Sequence, residues 1–419
     1  MRNTHPSLTK SRLGSVCNMR QTDKRKPKNI KKVDHITIAL ILALVAIGII
    51  TIANSLAEPT TGDMTLLARL SCLNLRYPLL QLAWCGLGLI CIWLISRMDY
   101  QVMGDFIKLA YLAILILLIA VYLFGGSTRG VSGWFSIGST RAFQPSEFGK
   151  IVLILMLAKY CGDSMNRNDG RIKGWKDIAT AFIITAIPVA LVALQPDWGT
   201  AVVYVCILIG ILFAAHMSWQ AIAITGVSAL VAMPLTYFFI LNQEQKQRIL
   251  TFLNPQSSNV LDELYHSTIG EEVIRSGGAF GKGLLSEGSI TQLGYLPEQH
   301  TDYIFASLVE AFGFIGGTLL IVIYFALIAR TLYIGQKSRD SFGMLICAGV
   351  ASMMLAHIFE NIGMLVGLMP VTGIPLPFVS YGGSNMLANM ISYGFVINVW
   401  MRRQQKYTSP VRMAPITPA

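Results

Sequence analysis

The chain has 419 residues, of which 53% are hydrophobic and only 13% charged, and its mean hydropathy is +0.56. That composition excludes an ordinary soluble domain, because so much apolar surface needs lipid as its solvent. The net charge of +11 does not point to nucleic acid, since ten of the 33 lysines and arginines crowd into the first 32 positions, around Lys24, Arg25, Lys26, Lys28, Lys31 and Lys32.

Residues 1–35 therefore form a basic tail, read either as a segment on the anionic cytoplasmic leaflet or as a disordered solubilising extension. The apolar segment after it is of full spanning length and lacks a small-residue cleavage pattern, so no cleavable signal is expected. Apolar runs then predict helices at 36–55, 78–96, 105–125, 145–161, 178–194, 199–215, 219–241, 302–329, 343–366 and 385–401. The fold class is all-α: a polytopic membrane protein with about ten transmembrane helices in one domain, 36–403, and a tail at 404–419. Of the seven cysteines, Cys85, Cys91, Cys206 and Cys347 fall inside apolar runs and none forms a CxxC pair, which leaves a disulfide framework or zinc site without support.

Charge sets the expected topology. With the basic tail inside, alternate connections carry Arg97, then Arg167, Arg171, Lys173 and Lys176, then Arg330, Lys337 and Arg339, and finally Arg402 and Arg403. An even helix count then leaves both termini cytoplasmic. The opposite face carries the long loop 242–301, with Asp262, Glu263, Glu271, Glu272, Glu287 and Glu298 and the glycine-rich run from Ser276 to Gly283. That run lacks the Gly-Lys-Ser/Thr ending of a nucleotide-binding P-loop.

Four polar stretches interrupt the apolar pattern. Gln144–Lys150 places Pro145 at a helix start, with Glu147 and Lys150 three apart on one face. Gln195–Thr200 leaves Asp197 in a short break between two helices. Charges there are costly unless paired or wetted, and an acid and a base on separate helices suggest an ion pair between Asp197 and Lys150. Leu296–Phe305 brings Glu298, His300 and Asp302 to the point where the long loop re-enters the membrane, with Glu310 about two turns deeper. Pro370–Ser384 holds three prolines and three glycines, so its backbone cannot be regular helix and must line a cavity or be buried in protein. The alternative for Glu147, Lys150 and Asp197 is that they only hold helices together, and for His300 that it is only a structural hydrogen-bonding group.

Gln144-Pro-Ser-Glu147, Gln195-Pro-Asp197-x-Gly199-Thr200, Pro297-Glu-Gln-His-Thr-Asp302-Tyr-Ile-Phe305 and the segment through Ser380-Tyr-Gly382-Gly383-Ser384 occur in this order across nearly the whole of 36–403. Together they resemble the SEDS family of shape, elongation, division and sporulation proteins, with wording nearer the RodA elongation branch than the FtsW division branch. The resemblance implies a ten-helix peptidoglycan glycosyltransferase of the bacterial cytoplasmic membrane. Such an enzyme polymerises lipid II among membrane lipids and works with a class B penicillin-binding protein as transpeptidase. It implies substrate-binding roles for Glu147, Lys150, Asp197, Glu298, His300, Asp302, Ser380, Gly382 and Gly383. No organic cofactor is expected, and a divalent cation is left open. Lys150, Arg248, Arg275 and Lys282 are the basic residues to consider for the pyrophosphate, the last three also reading as solvated loop surface.

The family's essential aspartate sits in Asn/Asp-Pro-x-x-Asp-Pro-x-Gly-x-Gly-Tyr. Here the corresponding stretch runs from Asn254-Pro255 to Tyr265, and counting from its two ends places that position at Ser258 or Asn259. The nearest acid is Asp262, which becomes the candidate general base. Family glycines are missing around it, and Glu271 and Glu272 stand where the family is usually apolar. Two rival functions suit the same pattern: a transporter that flips a lipid-linked precursor, and a catalytically silent scaffold for a penicillin-binding protein.

Overall fold

A backbone without water must satisfy its own N–H and C=O groups, so long apolar runs in a bilayer become helices. The structure, a computed structural model, describes residues 33–58, 71–128, 131–137, 140–168, 170–172, 174–218, 241–253, 261–296 and 298–403, with the single positions 221, 223 and 238. In chain order the elements are α1 (His35–Ser55), α2 (Arg76–Arg97), α3 (Tyr100–Asp105), α4 (Ile107–Phe124), β1 (Gly126–Thr128), β2 (Val131–Ile137), β3 (Thr140–Phe143), α5 (Pro145–Arg167), α6 (Trp175–Ala193), α7 (Trp198–Ala214), α8 (Gln243–Leu253), α9 (Leu261–Ser276), α10 (Ile304–Gln336), α11 (Ser341–Leu365) and α12 (Gly383–Met401). The predicted span 219–241 lies outside the described residues apart from isolated positions. Each of the others overlaps a helix, and 105–125 takes in the end of α3 as well as α4.

Among the described residues, α1, α2, α4, α6, α10 and α11 are long and apolar enough to cross a membrane, and α7 is a shorter apolar helix. The chain is thus a multi-pass membrane protein. α5 and α12 are more polar because they carry the buried charges and amides described below. α11 is the centre, with 78% of its apolar window buried against 22% for α4. It packs on α5, α7 and α10, while α2 lies along α12. Peripheral α4 turns Leu109, Leu112, Ile116 and Leu123 outward, the surface lipid would cover. Small residues allow the central helices to close in: a Cβ on Gly149 would overlap the Tyr204 hydroxyl, and one on Gly210 the Ser352 side chain.

The loops hold more structure than alternation or helical periodicity in the sequence indicates. Between α4 and α5, the three strands form an antiparallel sheet in the order β1-β2-β3, with Phe135 opposite Phe143. Phe143 then stacks on Phe148 of α5, ring centroids 4.9 Å apart. The long loop contains α8 and α9, and α9 lies against α10 and α11.

One end of the bundle gathers the basic connections. Arg330 at the close of α10 pairs with Asp34 before α1 at 2.6 Å and lies over the Trp400 ring. Arg339 pairs with Asp99 at 3.1 Å, and Asp340 accepts from the Tyr100 hydroxyl at 2.9 Å. Arg402 adds a contact to Asp99 at 3.7 Å. All four polar stretches lie at the other end.

Candidate active site

α5 begins with Pro145, whose missing N–H costs nothing in a first turn. Glu147 follows in that turn and Lys150 one turn on. Lys150 Nζ donates to Glu147 Oε1 at 2.7 Å and to His357 Nε2 at 2.9 Å, with the two charged side chains 1% and 3% exposed. An ammonium only donates, so His357 Nε2 is the unprotonated ring nitrogen. Asn385 Nδ2 donates to the other Glu147 oxygen at 3.1 Å, and Asn389 Nδ2 donates to the Asn385 carbonyl at 2.8 Å. The buried cluster thereby ties α5 to α11 and α12.

Asp197 corrects the sequence-based pairing. Its Oδ1 accepts from the Thr200 N–H at 3.2 Å as the N-cap of α7, and its Oδ2 accepts from Gln144 Nε2 at 3.2 Å. Lys150 makes its ion pair with Glu147 instead. Three-residue spacing puts that acid and base on one face of one helix, so the pair forms without any interhelical fit. The carboxylate of Asp197 is meanwhile satisfied by the free Thr200 N–H at the start of α7 and by the Gln144 side-chain amide.

The re-entry segment and the proline-rich segment form one junction. The Ser380 hydroxyl donates to the Thr301 carbonyl at 2.6 Å and accepts from the Leu376 N–H at 2.8 Å. The Tyr381 N–H donates to the His300 carbonyl at 2.9 Å. Asn361 Nδ2 on α11 bridges the carbonyls of Asp302, 2.8 Å, and Ile374, 2.7 Å. Four residues separate Asn361 from His357, so one face of α11 holds both the junction and the lysine. Gly382 is the N-cap of α12, and Gly383 opens it so close to Trp84 that a Cβ would lie 2.5 Å from the indole. Glu298 (φ 48°) and Phe378 (φ 66°) occupy the left-handed region, strain of about 1–3 kcal/mol each that the surrounding contacts must hold. The His300 ring sits 5.2 Å from Tyr77, and burial keeps its pKa below the ordinary value against the opposing pull of Glu298.

Glu310 anchors the outer segment. Its carboxylate accepts from Lys282 Nζ at 2.7 Å, the Ser276 hydroxyl at 3.3 Å, the Ile290 N–H at 2.8 Å and the Thr291 N–H at 3.0 Å, and from the Thr291 hydroxyl. α10 breaks at Gly313 (φ 72°), and there the glycine-rich run docks edge to edge. Lys282 and Gly283 N–H donate to the carbonyls of Glu310 and Ala311, and Phe314 N–H donates to that of Gly278. A Cβ on Gly281 or Gly313 would strike the opposing backbone, which explains the glycines as packing. Lys282 is thus tied to Glu310 rather than being free loop surface, and Arg275 pairs with Glu271 while 81% exposed.

The structure brings Glu147, Lys150 and Asp197 to one end of the bundle with the junction of Glu298, His300, Asp302, Ser380, Gly382 and Gly383. It gives no position to the candidate base: Asp262 belongs to the first turn of α9, but its side chain, like Ser258 and Asn259, lies outside the described residues. Among the described residues no group of three His, Cys, Asp or Glu side chains is arranged to hold a metal ion. Sequence reasoning missed His357, Glu360, Asn361, Asn385 and Asn389. The available signal was polar residues recurring three or four apart inside otherwise apolar helices.

Comparison with known proteins gives concordant results. A family profile described as a cell cycle protein, covering FtsW, RodA and SpoVE, matches residues 34–405. The peptidoglycan glycosyltransferase MrdB of Escherichia coli K12 is 35% identical over 319 residues, which are 76% of this chain and 84% of that protein. The peptidoglycan glycosyltransferase RodA of Treponema pallidum is 30% identical over 447 residues, covering 90% of this chain and 99% of that one. A solved structure of a peptidoglycan synthase complex that coordinates polymerization and crosslinking contains a chain matching with a TM-score of 0.72 and 26% identity, over 89% of this chain and 99% of that chain. The crystal structure of the Thermus thermophilus rod shape determining protein RodA matches with a TM-score of 0.63 and 25% identity, over 89% and 98%.

Proposed function

The chain belongs to the FtsW, RodA and SpoVE family of cell cycle proteins, and on that footing we propose which of its residues serve the reaction, on what substrate and beside which partner. It is a peptidoglycan glycosyltransferase of cell-wall growth. The substrate is lipid II. A sugar hydroxyl of the acceptor attacks the anomeric carbon of the donor from the face opposite the lipid pyrophosphate. The new glycosidic bond forms as the carbon–oxygen bond to pyrophosphate breaks, and the leaving group keeps the electron pair. Asp262 takes the hydroxyl proton as general base. Cationic groups hold the departing pyrophosphate, where charge develops.

The observation that supports this reading is the buried Glu147–Lys150–His357 cluster, which shares α11 with the junction of the re-entry and proline-rich segments. A charged network at one end of an apolar bundle is costly to keep and needs a use. Glu147, Lys150 and Asp197 shape the cavity wall, and Glu298, His300, Asp302, Ser380, Gly382 and Gly383 shape its rim. That end faces outward, with the basic end and both termini on the cytoplasmic side of the inner membrane, because the basic connections gather opposite the site. The transpeptidase partner is a class B penicillin-binding protein. The domain limits are those of the sequence reading, 36–403 for the membrane domain with 242–301 as its outer loop.

Purified protein with lipid II in detergent tests the reading: glycan polymer should appear on gels, more of it with the partner present. Translocation of lipid II in vesicles without polymer would support a transporter. Absence of both with the partner present would leave the scaffold.

A further inference from the structure

Beside the buried cluster, the same end of the bundle gathers three rings from three separate segments. Tyr77 stands in the first turn of α2, His300 in the re-entry segment and Tyr381 just before α12. Ring centroids lie 5.2 Å apart for Tyr77 and His300, 5.0 Å for Tyr77 and Tyr381, and 6.0 Å for His300 and Tyr381. All three side chains are half-buried, and the exposed Arg76 guanidinium stands 6.0 Å from the Tyr77 centroid.

Two features set this group apart from a packed core and from a belt of interfacial aromatics. Tyr77 shares its helix face with Gln81, Cys85 and Gly88, all buried, while Leu79 and Leu82 turn outward. Its ring therefore lies on the protein-facing side of α2 and not in the lipid-facing position of belt tyrosines. The polar atoms of the group are also unspent. Among the described residues the Tyr77 and Tyr381 hydroxyls, the His300 ring nitrogens and the Arg76 guanidinium make no hydrogen bond. Tyrosines packed into a finished interior usually find a partner for the hydroxyl.

The backbone holds the group in place next to the site. The Tyr381 N–H donates to the His300 carbonyl at 2.9 Å, and Gln81 Nε2 on α2 donates to the Ser380 carbonyl at 3.0 Å. Three and four residues beyond Tyr381, the Ser384 hydroxyl accepts from the Gln144 N–H at 3.3 Å and Asn385 reaches Glu147 at 3.1 Å. A pyranose ring has a face of C–H groups and an edge of hydroxyl and amide groups. It is bound by an aromatic surface with a few fixed donors and acceptors beside it, which is what these four residues provide.

We propose that Tyr77, His300 and Tyr381, with Arg76 at their edge, form a saccharide subsite that holds an N-acetylated sugar of the growing glycan strand beside the reacting groups. The choice of the strand rests on the function proposed above, whereas the affinity for a sugar ring does not.

Two measurements test it. The first is saturation-transfer NMR on the full chain in detergent, with the soluble tetrasaccharide of β-1,4-linked N-acetylglucosamine as probe. Wild type should transfer magnetisation to the pyranose C–H protons. Tyr77→Leu and Tyr381→Leu keep apolar bulk but remove the aromatic face, and each should weaken binding by about two- to tenfold, the worth of one aromatic contact. Tyr77→Phe should bind more tightly than Tyr77→Leu. Arg76→Gln, a change at an exposed side chain that leaves the fold intact, should also weaken binding. No transfer to wild type, or equal transfer to wild type, both leucine variants and Arg76→Gln, overturns the subsite. The second is the length of strands made from lipid II, which Tyr381→Leu should shorten by about twofold or more, because weaker holding speeds release of the strand. Strands of full length with a raised KM for lipid II would put the monomer on the rings and overturn the strand assignment. A wild type that binds the tetrasaccharide and makes no polymer would sink the glycosyltransferase reading and leave the sugar-binding surface standing.

Discussion

Replacing Glu310 by alanine should release the outer segment from α10. The carboxylate is 2% exposed and accepts from the N–H groups of Ile290 and Thr291, the hydroxyls of Ser276 and Thr291, and the Lys282 ammonium. Without it the Thr291 N–H is orphaned in a buried position and the Ile290 N–H in a part-buried one, at about 1–3 kcal/mol per buried group. The ion pair adds little, because Lys282 is 30% exposed and solvent takes over its charge. A net loss of about 3 kcal/mol corresponds to roughly a hundredfold change in the local opening equilibrium. Hydrogen exchange resolved by peptide reads it directly: amides between 282 and 291 should exchange about a hundredfold faster, while those of α11 and α12 keep wild-type protection. A folded Glu310→Ala protein with unchanged protection across 282–291 would show that the edge-to-edge backbone bonds at Gly313 hold the segment unaided.

Lys150→Met should cost about 3–5 kcal/mol in thermal or denaturant unfolding because it strands buried Glu147, whereas Asp197→Asn should cost less than about 1 kcal/mol, since asparagine still caps Thr200. Comparable losses would mean that Asp197 and Lys150 form the pair after all. His300 binds its proton less readily in the folded state than in the unfolded chain, so its contribution to stability is complete above about pH 6.5 and is lost as pH falls through the lower folded value. Melting curves of wild type should therefore fall more than those of His300→Gln as the pH drops below about 6.5, and parallel curves would refute this. A cysteine at Ser257 should react with an impermeant thiol reagent in intact cells once native thiols are accounted for, and protection there would invert the topology.

The spans were legible because about 20 apolar residues in a row leave few alternatives in a bilayer. The four polar stretches were legible for the converse reason, that charge and proline at such depth need an explanation. Which acid meets Lys150 was not. Sequence spacing permits both Glu147 and Asp197, and the choice depends on what else each carboxylate accepts, here Thr200 and Gln144 for Asp197. His357 and Glu360 were hidden because two titratable residues beside Ala356, Ile358 and Phe359 barely alter so long an apolar run. Helix α9 was hidden by polarity: its stabilising contacts are tertiary, with Gly270 against the Tyr303 ring and buried Val273.

The proposed reaction is polymerisation of lipid II with Asp262 as the base. The direct measurement is the polymerisation rate of purified Asp262→Asn beside Glu263→Gln, Glu271→Gln and Glu272→Gln, all at matched levels of folded protein with the transpeptidase partner present. Loss of a positioned general base lowers a rate by about 10²–10⁴, so Asp262→Asn should fall by that factor while the three neighbouring variants stay within about tenfold of wild type. Full activity in Asp262→Asn together with a dead neighbour would move the base elsewhere on α9 and contradict the assignment.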